Sequence, residues 1–304
     1  MNLHQNKDAF EELVVAASNE LQIPGNIIEK DYYVTLTLKE LSSHIKGMVF
    51  KGGTSLSKCY QLIDRFSEDI DISYAAFEGV PGESRKRQLK KSITDSLDAL
   101  NLPITNLEET RSRRSYNCYR ASYPSIYEPQ LSIHPEIVIE TYIALLPFPT
   151  TSRMVENYIH TFLCHENLEH LAEEYDLMPF PILTQTIERT LVDKVFALCD
   201  YYLTGQIARH SRHLYDIHKI VCNGIPSASF SSLIPEVRLL RAALPNCPSA
   251  QMDVDIEKLL TEIIEKQVFN DDYKQITENL LFHPLPYEKA ITSLKLILDH
   301  HYFK

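Results

Sequence analysis

At 304 residues with 44% hydrophobic content, the chain is long enough for one large or two ordinary domains with a substantial core. A net charge of −11 argues against general affinity for nucleic acid, and six scattered cysteines without a C-x-x-C pair argue against a zinc ribbon or a disulfide framework. The start, MNLHQNKDAFEEL, has no basic stretch running into an apolar one, and no segment nears the ~20 apolar residues that cross a bilayer, so a cytoplasmic protein with no membrane partner is expected.

Residues 7–21 place apolar side chains at helical spacing and stop before Pro24-Gly25, and a second helix is expected over 26–43. The apolar run MVFK breaks at Gly52-Gly53 and leads into TSLSKCYQLIDRF, where Leu56, Tyr60 and Ile63 recur at helical spacing. This reads as strand, tight turn, helix. EDIDIS then alternates charged and apolar residues, as a strand with one buried face does.

Between 85 and 120 nine basic residues (Arg85, Lys86, Arg87, Lys90, Lys91, Arg111, Arg113, Arg114, Arg120) face four acids, so this segment carries +5 and the rest of the chain −16. With Tyr116, Tyr119 and Tyr123 interleaved, it can contact a phosphate backbone and stacked bases. The plainer reading is an amphipathic helix with a solvated basic face followed by an edge strand.

Strands are expected at 115–123 and 137–145. Beyond about 153 the strand pattern disappears, and 184–203, 209–223, 253–268 and 287–303 read as helices. The expected class is α+β: a mixed sheet flanked by helices over 1–152, then a helical domain over 153–304.

The chemistry concentrates at 51–72. Asp69 and Asp71 lie two apart, so on a strand both point to one face and can grip one cation. Oxygen ligands suit Mg²⁺ or Mn²⁺, which keep positions for substrate phosphates. Glu140 is the candidate third carboxylate of such a metal site and Glu136 the weaker one. Gly52-Gly53 permits close backbone approach, and Thr54-Ser55 stands where a helix begins, so amide groups face a bound anion.

Each half is weak alone: a Gly-Gly turn usually serves geometry, and D-x-D arises by chance in an acidic chain. Asp253 and Asp255 form a second such pair, which reads as helix capping. HENLEH at 165–170 sets its histidines five apart, unlike a zincin, and GGTSLSK lacks P-loop spacing.

The stretch FKGGTSLSKCYQLIDRFSEDIDIS, with EKDYYVTLTLKEL at 29–41, RTLVDKVFAL at 189–198 and SRHLYDIHKI at 211–220, resembles the AbiEii/AbiGii nucleotidyltransferase-like toxins, a branch of the DNA polymerase β-like superfamily. The resemblance implies a nucleotidyltransferase-type sheet and transfer of a nucleoside monophosphate from an NTP to an acceptor hydroxyl. It places Gly53, Thr54 and Lys58 at the phosphates, Asp69 and Asp71 on the metal, and Lys194 on the nucleotide from the helical domain.

Asp216 matches the family's last acidic position, with Arg212 beside it, and Asp193 stands where many relatives have Glu. Lys30 and Asp31 also match and are expected to brace the site by ion pairing. Outside the resemblance, Lys194 reads as a solvated helix end and Arg212/Asp216 as an intrahelical pair. A toxin of a toxin–antitoxin or phage-defence pair is implied, with a cognate antitoxin and an RNA acceptor such as the tRNA 3′ end. The rival readings are the same chemistry on a protein partner, and a nucleotide-binding module without turnover.

Overall fold

Asn6 starts the first long helix, α1 (Lys7–Leu21), by accepting the Ala9 amide with its side chain at 3.3 Å. The computed structural model describes residues 1–74, 82–112, 114–128, 133–224 and 229–304, without the side chain of Ser229. Helix α1 buries Phe10, Leu13, Val14 and Ala17, one apolar stripe at 3.6 periodicity, and packs on α2 (Gly25–His44). Rings thicken this contact, with Phe10 5.0 Å from Tyr32 and 5.8 Å from Tyr33, and Tyr33 in turn stacks on Tyr123, outside both helices, at 4.2 Å.

The strands are β1 (Met48–Lys51), β2 (Ile70–Tyr74), β3 (Tyr116–Ser122), β4 (Glu136–Tyr142), β5 (Thr150–Val155) and β6 (Phe180–Gln185), in the order β3-β4-β2-β1-β6-β5. The sheet is mixed: β1 and β2 run antiparallel, as do β3 and β4, while β2/β4 and β1/β6 are parallel. One face buries Phe50, Ile70, Ile72, Tyr119, Ala121, Ile137 and Ile139, while α2 packs on β4 and on α4 (Glu83–Ala99), whose Leu89, Ile93 and Leu97 are also buried. The alternate positions Lys51, Asp71, Cys118, Glu140 and Tyr142 are only partly buried. An α+β class with a mixed sheet is what the sequence led us to expect.

Three local expectations change. The glycines form the first turn of α3 (Gly52–Lys58), and this helix ends where the periodicity ran on to residue 66. Residues 60–66 instead group with the second compact unit, where Tyr60 donates to the Gln185 carbonyl and Phe66 N–H to that of Leu280. Strands also do not stop near 153: β5 straddles that point and β6 lies well beyond it. Pro181 near the start of β6 hid it, because proline within a run argues against a strand.

Two compact units emerge. The first holds residues 1–59, 67–146 and 150–184, beyond the division expected at 152/153, and includes α5 (Tyr158–His165) and α6 (Glu169–Glu174). The helix break between His165 and His170 removes the zincin reading. The second holds 60–66, 147–149 and 185–304, built on α7 (Ile187–Thr204), α8 (Arg212–Cys222), α9 (Ser229–Ala242) and α10 (Ile256–Glu265).

Its core includes Leu191, Val195, Phe196, Leu214, Ile217, Leu260 and Ile263. Asp255 caps α10 through the Lys258 amide at 3.0 Å, so the second D-x-D serves the helix as expected. The cysteines are free thiols, and among the described residues no helix is long and apolar enough to cross a membrane.

Candidate functional site

Strand register builds the carboxylate face. In β1, Lys51 pairs with Asp71 of β2, and Asp71 pairs with Glu140 of β4. Partners in register project to the same face, so Asp71 and Glu140 stand side by side on neighbouring strands. Asp69, immediately before β2 and two residues from Asp71, lies partly buried at the strand's entrance.

Glu136 lies a full four residues back on β4 and is ion-paired with Arg120 of β3. Glu140 instead accepts a hydrogen bond at 3.0 Å from the Tyr116 hydroxyl, and burial and then the Glu140 charge push the phenol's pKa up, keeping it a donor.

Gly52 has φ of +77°, a left-handed conformation that side chains rarely adopt. It is also where the Asp71 carboxylate lies: a Cβ on Gly52 would overlap Asp71 Oδ2 and stand 2.8 Å from Cγ. The missing side chain therefore lets a carboxylate rest on the backbone at the start of α3. Thr54 and Ser55 are buried, their hydroxyls turned inward: Thr54 Oγ1 lies 3.0 Å from Ser67 Oγ, and Ser55 Oγ donates to the Gly52 carbonyl at 2.9 Å. These bonds tie α3 to itself and to the segment entering β2.

Lys58, expected at the phosphates, is 9% exposed and committed elsewhere. Its amine donates to Asp31 Oδ1 at 2.5 Å and to the Glu156 carbonyl at 3.2 Å. Lys30 is ion-paired with Glu68 and donates to the His134 carbonyl at 2.9 Å. Lys30 and Asp31 therefore brace the segments around the site.

The remaining named residues lie in the second unit. Asp216 on α8 is fully buried, and both its oxygens are engaged: Arg65 Nε and Nη2 donate at 2.8 Å each and Lys194 Nζ at 2.6 Å. Burial pushes this carboxyl up, but the Arg65 and Lys194 charges and hydrogen bonds outweigh it and hold it well below the usual carboxylate range.

Lys194 is thus buried in an ion-paired cluster, which corrects the reading of a solvated helix end. Arg212 opens α8 one turn before Asp216. Asp193 pairs with Arg189 and Arg241 at 3.0 and 3.2 Å. Arg65 is the residue the sequence reading missed, since nothing in a lone arginine before a D-x-D announces a partner some 150 positions away.

The basic segment divides. Arg85 and Arg87 on α4, with Arg111 and Arg114 beyond it, are exposed, whereas Lys86 and Lys90 donate to Ser115 and Thr110. Arg113 lies outside the described residues. Tyr119 and Tyr123 belong to the core, so of the three interleaved tyrosines only Tyr116, 47% exposed, is available to a base.

Asp71 and Glu140, carboxylates in register on adjacent strands, have the donor chemistry that a hard divalent cation prefers. Among the described residues no three His, Cys, Asp or Glu side chains stand gathered around one ion position.

A family model described as Nucleotidyl transferase AbiEii toxin, Type IV TA system, matches residues 37–293. Among solved structures the chain is similar to MenT4, a nucleotidyltransferase toxin from Mycobacterium tuberculosis H37Rv, with a TM-score of 0.49 and 13% identity over 94% of this chain and 88% of that one. No curated protein matches the chain.

Proposed function

The chain belongs to the AbiEii nucleotidyltransferase toxin family of type IV toxin–antitoxin systems, and from that premise we propose that it transfers a nucleoside monophosphate from an NTP to an RNA hydroxyl, the tRNA 3′ end being the acceptor we favour. The observation that carries the reading is the Asp71 carboxylate packed on the Gly52 backbone with Glu140 beside it in register.

Asp69, Asp71 and Glu140 are the residues that would hold Mg²⁺ or Mn²⁺. When bound, such ions neutralise phosphate charge and lower the cost of forming the attacking alkoxide. The chain's own part is positioning. Gly52 leaves room for the Asp71 carboxylate at the start of α3, where a Cβ would displace it, and the first-turn amides of Gly53 and Thr54 are the groups assigned to the phosphate oxygens. A carboxylate of this cluster accepts the proton of the acceptor hydroxyl, and pyrophosphate departs. The exposed Arg85 and Arg87 of α4, with Arg111 and Arg114, are the surface offered to the RNA backbone. A cytoplasmic location, an antitoxin partner and a role in phage defence complete the proposal.

The test incubates wild type, Asp69→Ala and Asp71→Ala with Mg²⁺, total tRNA and each α-labelled NTP in turn, then resolves RNA and protein on a denaturing gel. Label on tRNA with wild type alone supports the reading and names the base. Label on protein moves the acceptor to a polypeptide, and unchanged labelling by both variants removes the aspartates from the chemistry.

A further inference from the structure

Glu140 and Glu136 lie on one face of β4, and β3 supplies each with a different partner. Glu136 receives the guanidinium of Arg120. Glu140 receives the neutral hydroxyl of Tyr116 at 3.0 Å. The register explains why Tyr116 reaches it: Cys118 stands opposite Glu140 and Tyr116 opposite Tyr142, so Tyr116 is the diagonal neighbour, within the span of an aromatic side chain.

The difference between the partners matters for a cation. A guanidinium neutralises its carboxylate and repels an approaching metal ion, whereas a phenol leaves the negative charge in place. It also engages Oε1 and restrains the side chain of a residue that stands in register with Asp71. Carboxylate ligands of metals are commonly held by hydrogen bonds of this kind. Burial does not account for the tyrosine, since Tyr116 is 47% exposed on an edge strand.

We propose that Tyr116 is a positioning residue that orients Glu140 as a cation ligand and so sets the affinity of the site for divalent metal. This rests on the reading of Glu140 as a ligand, and the experiment separates the two.

Mn²⁺ alone is titrated by electron paramagnetic resonance into the full-length wild type, Tyr116→Phe and Glu140→Gln, and the metal-free unfolding temperature of each is measured. Phenylalanine keeps the ring and deletes the donor, so the metal-free unfolding temperature stays at the wild-type value. Mn²⁺ affinity is expected to fall about 10-fold or more in Tyr116→Phe and further in Glu140→Gln, and the Mn²⁺ concentration for half-maximal transfer to rise in parallel.

If Glu140→Gln weakens Mn²⁺ binding and Tyr116→Phe binds as wild type does, the inference about Tyr116 is overturned and the carboxylate reading stands. If Glu140→Gln binds as wild type does, or wild type binds no Mn²⁺, the carboxylate reading falls and takes the inference with it. A Tyr116→Phe protein that loses metal-free stability along with metal affinity also overturns the inference, because the residue is then structural.

Discussion

Gly52 carries two demands at one atom. Its φ of +77° costs an ordinary residue about 1–2 kcal/mol, and any Cβ there meets the Asp71 carboxylate. Gly52→Ala is therefore expected to lower stability by a small amount and activity by far more, because the carboxylate must move. A displacement of about 1 Å at a reacting site can cost about 100-fold in rate. Steady-state transfer rates beside thermal unfolding check it: a variant that loses stability and keeps its rate would separate Gly52 from the chemistry. The pairing of Gly52 with Asp71 was legible as motif order, glycines before D-x-D, but the contact between them was not, since it follows from the Lys51↔Asp71 register.

Elements show the same division between pattern and partner. Helix α4 declared itself through its basic face, and β2, β3 and β4 through alternation. Strand β6 did not, because Pro181 interrupts the pattern and its place beside β1 rests on the parallel pairing of Phe50 with Thr184. Helix α3 was read too long because its periodicity continues through residues whose actual partners, Gln185, Leu280 and Asp216, no local pattern reveals. Composition located the basic segment, and strand alternation then removed Tyr119 and Tyr123 from any surface role.

If the exposed arginines of α4 meet RNA, then Arg85→Glu/Arg87→Glu weakens RNA binding without changing the metal requirement. Removing two phosphate contacts also flattens the dependence of log affinity on log salt by about 0.7 per contact for single-stranded RNA. Filter binding across a salt series checks this, and an unchanged slope would move the RNA surface elsewhere.

Across the molecule, charge buried in the second unit makes folding stability depend on pH. Asp216, fully buried between Arg65 and Lys194, has its carboxyl depressed, so its contribution is complete above the ordinary aspartate range and drains away as pH falls below about 4. His213 is partly buried, its Nδ1 has no hydrogen-bond partner, and burial followed by the Lys194 and Arg212 charges drives its pKa well below 6.5. The nearby Asp216 opposes this and His210 adds to it.

The imidazole is therefore neutral in the fold and takes up a proton only on unfolding, so stability falls as pH drops below about 6.5, by at most about 1.4 kcal/mol per pH unit for one proton. Chemical unfolding of wild type is expected to weaken first between pH 6.5 and 5, and His213→Phe to reduce that early slope, to which His4, His210 and His218, also lowered by burial, contribute. Asp216→Asn, which strands two buried cations, is expected to cost about 3–5 kcal/mol at neutral pH. A near-neutral Asp216→Asn would mean that Arg65 and Lys194 hold the carboxylate for chemistry, and the role that the family motif assigns to Asp216 would then outweigh its role in the fold.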